Sequence, residues 1–138
     1  MLRILFSILL VCLPGFGQVE HLRDVKTIYV ADLGTNDSAR VLRARLVNRL
    51  AKSKELRVTE DPERADARLT GIVEGRDRFV NGTSLRRYDL VVKLLSRDKS
   101  VLWVKDWKRV HDGGLFNADL EDKIVRELLK AIKKDGDQ

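Results

Sequence analysis

Residues 67–110 read ARLTGIVEGRDRFVNGTSLRRYDLVVKLLSRDKSVLWVKDWKRV, and this stretch decides the fold. Three runs of alternating apolar and polar residues are separated by two turn signals, the pattern of an antiparallel meander. The first run, Ala67 to Arg78, leads into Phe79-Val80-Asn81-Gly82-Thr83, where Asn-Gly supplies the two positive-φ residues of a type I′ hairpin. Leu85 to Ser96 runs back, Arg97-Asp98-Lys99-Ser100 turns the chain again, and Val101 to Val110 forms the third strand. In the first strand Ala67, Leu69, Gly71, Val73 and Gly75 share one face, opposite Arg68, Thr70, Ile72, Glu74 and Arg76. Glycine inside a strand lets another element approach closely, so a helix is expected across Gly71 and Gly75. Tyr88, Leu90, Val92 and Leu94 make the more apolar face of the second strand. In the third, Leu102, Val104 and Val110 oppose Val101, Trp103 and Trp107, and each face also carries charge.

Working outward, Lys26 to Leu33 is β-branched and aromatic, a first strand, and Gly34-Thr35-Asn36-Asp37-Ser38 breaks it with three candidate N-caps. From Ala39 to Lys52 the apolar residues Ala39, Leu42, Leu46, Val47, Leu50 and Ala51 recur at three- and four-residue spacing, which predicts an amphipathic helix. Leu56 to Thr59 alternates as a short strand, and Glu60 to Asp66 forms a carboxylate-rich turn that lacks the spacing of a calcium loop. After His111-Asp112-Gly113-Gly114, Asn117 or Asp119 can cap a last helix with Leu120, Ile124, Leu128, Ala131 and Ile132 as its apolar stripe. Acids in its first turn and Lys130, Lys133 and Lys134 in its last suit the helix dipole. The order β-α-β-β-β-β-α predicts an α+β fold, two-layer, with a mainly antiparallel sheet and two helices packed on one face.

The N-terminus reads as a signal peptide over residues 1–17. Arg3 gives a minimal positive region, Ile4 to Leu13 carries no charge, and Pro14-Gly15-Phe16-Gly17 ends in small residues suited to a cut before Gln18. An uncharged run of ten residues is half of the about 20 a spanning helix needs. Val11 before Cys12 departs from a lipobox, which calls for a small residue there, and the rest of the chain has no cysteine. One domain, residues 18–138, is therefore expected to rely on its core alone. Without Arg3 the 27 basic residues become 26 against 21 acidic ones, a balance that favours anionic partners. Export makes nucleic acid the least expected of these, so an anionic envelope polymer, a glycolipid or an envelope protein is the expected partner, with peripheral membrane association in keeping.

No catalytic constellation is visible. His21 and His111 stand apart from any metal-ligand spacing, and no nucleophile elbow, phosphate loop or cysteine nucleophile follows the leader. No enzyme activity, cofactor or metal is expected. Two candidate binding surfaces remain. Arg40, Arg43, Arg45 and Arg49 decorate the first helix, where guanidinium groups could pair phosphate or carboxylate bidentately or merely form a solvated face. Trp103, Lys105, Trp107 and Arg109 fall on one side of a regular third strand, where aromatic rings interleaved with cations suit a sugar polymer or glycolipid, the alternative being that both rings belong to the core.

Three segments carry a resemblance: the strand Ile28-Tyr29-Val30 with its capped helix, the run Arg64-Ala65-Asp66-Ala67-Arg68-Leu69-Thr70-Gly71-Ile72-Val73, and the turn Asp98-Lys99-Ser100-Val101-Leu102-Trp103. In that order they resemble small envelope proteins of Gram-negative bacteria, of the lipopolysaccharide-assembly (LptE-like), penicillin-binding-protein activator (LpoB-like) and curli-secretion (CsgG N-terminal) types. The resemblance implies a non-enzymatic periplasmic adaptor near the outer membrane. A structural domain acting through oligomerisation is the second expectation, and a basic RNA-binding α+β domain, which would need cytoplasmic retention, the third.

Overall fold

The computed structural model of the chain describes residues 19–111 and 119–138, leaving aside the side chains of 76–78, 80, 84–86, 109–111 and 119. The expected leader, the residues 112–114 of the closing turn and the candidate cap Asn117 lie outside the described residues.

The expected α+β architecture is present. Strands β1 (Thr27–Val30), β2 (Arg57–Val58), β3 (Ala67–Val80), β4 (Thr83–Ser96) and β5 (Val101–His111) form one sheet in the order β2-β1-β3-β4-β5. Helices α1 (Asp37–Ala51) and α2 (Asp119–Gly136) supply the second layer. β3, β4 and β5 pair antiparallel, whereas β1 lies parallel to both β2 and β3. The β1-α1-β2 segment is thus a βαβ unit, since two parallel neighbours require a crossover and a helix is the usual one. β3 then enters on the far side of β1, and the meander continues from it.

Local chemistry explains the joints. Asn81 and Gly82 have φ of 51° and 76°, so the β3–β4 turn is the expected type I′ turn, and Val80 pairs with Thr83 across it. The hairpin extends two residues further on each arm than the alternation predicts. Asn36 is the N-cap of α1: its Oδ1 accepts from the Ala39 amide at 2.8 Å, while its Nδ2 donates to the Val73 carbonyl at 3.1 Å. One residue therefore starts the helix and fastens it to β3. Asp66, in the carboxylate-rich turn, accepts from the backbone amides of Lys26 and Thr27, both at 2.9 Å, and so fixes where β1 begins.

The core lies between the sheet and the helices. Ile28, Val30, Leu69, Val73, Tyr88, Leu90, Val92 and Leu94 on the sheet meet Ala39, Leu42, Leu46 and Leu50 of α1 and Leu120, Ile124 and Leu128 of α2. Val47 is half-buried and Ala51 exposed, so the α1 stripe is narrower than its spacing predicts. The expectation for Gly71 needs correction. A Cβ there would sit 2.1 Å from the Val91 carbonyl oxygen, so the close approach comes from the backbone of β4 and not from a helix. Gly75 is exposed and lines an open cavity with Thr35 to Ser38, at the start of α1, and Tyr88, so no helix lies across it either.

Candidate functional site

The four arginines of α1 do not gather on one solvent face. Arg43 is half-buried, and its Nε donates to the Val30 carbonyl at 3.1 Å with the Asp32 carboxylate 3.9 Å away. Arg49 pairs with Asp122 of α2. These two residues flank the apolar stripe on opposite sides, one fastening α1 to β1 and the other to α2. Arg40 donates to the Thr35 carbonyl and stands 3.5 Å from Asp37, and Arg45 is half-buried. An arginine whose donors are spent on carbonyl and carboxylate groups of its own chain offers fewer of them to a ligand.

The tryptophans of β5 take the helix side. Trp103 pairs with Leu94, Lys105 with Val92 and Trp107 with Leu90, all buried core residues of β4. Both rings are half-buried and packed against the core, and Lys105 Nζ reaches Glu127 of α2 at 3.4 Å. The Arg109 side chain lies outside the described residues. Val101 departs from the expected face: the register shifts between Leu94 and Leu95, so Val101 pairs with Leu95 and joins Val104 on the other side. The shift has the form of a β-bulge, which re-aims the residues beyond it.

That other side, the face without helices, is the most distinctive surface among the described residues. Arg68, Leu95 and Val101 form one cross-strand row, Thr70, Lys93 and Val104 the next, and Ile72, Val91 and Asp106 a third. Ile72, Val101 and Val104 are 57, 56 and 51% exposed, and Val91 and Leu95 between them are half-buried. Single exposed aliphatic residues are ordinary, whereas a contiguous group of them makes this face a candidate interaction surface. Arg68, which lies 5.5 Å from the centre of the Tyr29 ring, and Lys93 stand toward the start of β3. Glu74, Asp89 and Asp106 lie toward the hairpin. Sequence reasoning missed this surface because it looked for aromatics and cations; the alternation of Ile72, Val91 and Val104 was the available signal.

The turn that closes the open face is held by one carboxylate. Asp98 accepts from the Ser96 hydroxyl and from the Ser100 amide, and these hydrogen bonds, the Ser96 one foremost, hold its pKa below the ordinary carboxylate value. Arg97 donates to the Ala65 and Glu63 carbonyls at 2.9 and 3.1 Å, tying the same turn to the start of β3. Among the described residues no group of three or more potential ligands is placed to hold a metal ion, and no helix is long and apolar enough to cross a membrane.

No protein-family model and no curated protein matches the chain. Solved structures of the same fold do match. A Xanthomonas campestris protein of the DUF330 family is 14% identical with a TM-score of 0.60, over 91% of this chain and 93% of that one. PelC from Paraburkholderia phytofirmans, in a dodecamer, is 18% identical with a TM-score of 0.51, over 84% and 93%. A Neisseria meningitidis lipoprotein is 15% identical with a TM-score of 0.50, over 79% and 99%. The likeness is one of fold. It does not single out the lipopolysaccharide-assembly, activator or curli-secretion types.

Proposed function

We propose that this chain is an exported protein of the bacterial cell envelope that works by binding, not catalysis, and that the open face of β3, β4 and β5 docks an envelope protein. The observation that carries this reading is the exposed aliphatic group of Ile72, Val101 and Val104 on a sheet whose other face packs Leu69, Val73, Leu90, Val92 and Leu94 against the helices. The leader-like residues 1–17 support export, and the fold is one that a lipoprotein also adopts. Photo-crosslinking amino acids at positions 72 and 104, in cells of the source organism, test it. Adducts with an envelope protein from both positions, and none from the exposed Lys54, are expected. Adducts from Lys54 alone would refute the assignment of the face. N-terminal sequencing of the exported form is expected to begin at Gln18.

One observation favours a second reading, in which the partner is another copy of the chain. The face carries its cations, Arg68 and Lys93, toward one end and its acids, Glu74, Asp89 and Asp106, toward the other. Two copies packed face to face with strands reversed bring acids over cations, an isologous arrangement. PelC, which shares the fold, forms a dodecamer. Sedimentation of the purified protein separates the readings: a monomer at high concentration removes self-association and leaves the envelope partner.

A further inference from the structure

A concave surface lies in the helix layer, away from the open sheet face. The C-terminal half of α2, the residues entering β1 and those entering β2 enclose a groove of about 570 Å³, within the size range of small-molecule sites. Val25, Leu56, Leu129 and Ile132 make it apolar; the first two are buried and the others half-buried. Its rim is cationic. Lys26 comes from the lead into β1, and Arg126, Lys130 and Lys133 come from α2 at spacings of four and three, so they share one helix face. All four are exposed, and none is in an ion pair among the described residues. The lining has one carboxylate, Glu55, and it accepts from the Ser53 hydroxyl at 2.7 Å.

Cations in the last turns of α2 alone would be explained by the helix dipole. That account does not reach Lys26, which stands on a different segment, or the apolar lining beneath the cations. We propose that the groove binds a single-chain anionic amphiphile, its hydrocarbon tail against Val25, Leu56, Leu129 and Ile132 and its headgroup held by Lys26, Arg126, Lys130 and Lys133. A concave groove takes in one tail, whereas a helix that binds a bilayer surface turns its apolar face outward into the lipid. Charge complementarity fixes the sign of the headgroup, and the lysine stems add apolar cover along the tail. The inference is independent of what docks on the sheet.

Titration calorimetry of the purified protein with laurate, below its micelle concentration, is the test. Laurate is expected to bind one per chain, about tenfold more tightly than dodecyl maltoside, which has the same tail and no charge. Inorganic phosphate and acetate are expected not to compete. The double variant Lys130→Gln/Lys133→Gln, both at exposed positions, is expected to fold as the parent and to lose about tenfold in laurate affinity. The variant Ile132→Asn, checked for folding by circular dichroism, is expected to weaken the tail contact while leaving the charge in place. Equal affinity for the neutral amphiphile, laurate affinity unchanged in the lysine variant, or retention on anionic vesicles with no laurate binding would each overturn the proposal.

Discussion

The two faces of the sheet are made from the same three strands and have opposite fates. On the covered face Leu69, Val73, Leu90, Val92 and Leu94 are shut away by α1 and α2. On the open face the residues between them, Ile72, Val91, Val104 and Lys93, stand where water or a partner meets them. Period-2 alternation assigns each residue to a face, and the contrast shows that aliphatic residues occur on both while only one has helices to cover them. The covered face stabilises the fold. The open face, with Ile72, Val101 and Val104 more than half exposed, is the one we propose for recognition.

This contrast can be broken by substitution. The largest effect belongs to Gly71→Val. Its Cβ would collide with the Val91 carbonyl, a backbone atom held in a strand ladder, so a loss of about 4 kcal/mol or failure to fold is expected in urea denaturation. Leu94→Ala, on the covered face, is expected to cost about 3 kcal/mol by leaving a cavity under the helices. Asn36→Ala removes both the cap of α1 and its tie to Val73 and is expected to cost about 1 kcal/mol. The smallest effect is a pH dependence at the β4–β5 turn. Asp98 has a lowered pKa in the fold, so its contribution is complete above the unfolded-chain value and is lost as pH falls through the folded one. A fall in the protection factor of the Ser100 amide in acid, absent from Asp98→Ala, is the expected sign.

Much of the fold was legible because its signals are local. Asn81-Gly82 fixes the hairpin register, Asn36 starts α1, and the spacing of Leu42, Leu46 and Leu50 selects the buried side of that helix. The rest depends on partners far away in sequence. Nothing near Thr27 says that β1 will lie between β2 and β3, because that order is set by a crossover and by Asp66 reaching back to the amides of Lys26 and Thr27. The arginines looked like one patch because sequence shows their spacing and not the Val30 carbonyl and Asp122 carboxylate that take two of them. Trp103 and Trp107 could not be assigned a side until the pairing of β5 with Leu94 and Leu90 was known. The bulge that turns Val101 outward leaves no mark in the residue types. The cationic groove is not legible in the sequence for the same reason, since its lining comes from three separate segments.

The central claim is that the open face recognises a partner without holding up the fold. The double variant Ile72→Ser/Val104→Ser tests it most directly, with stability and partner capture measured on one preparation. Stability within about 0.5 kcal/mol of the parent, with loss of the species cross-linked from a photo-reactive residue at position 101 or of the self-associated species, is the predicted result. Capture that survives in a fully folded variant would contradict the account.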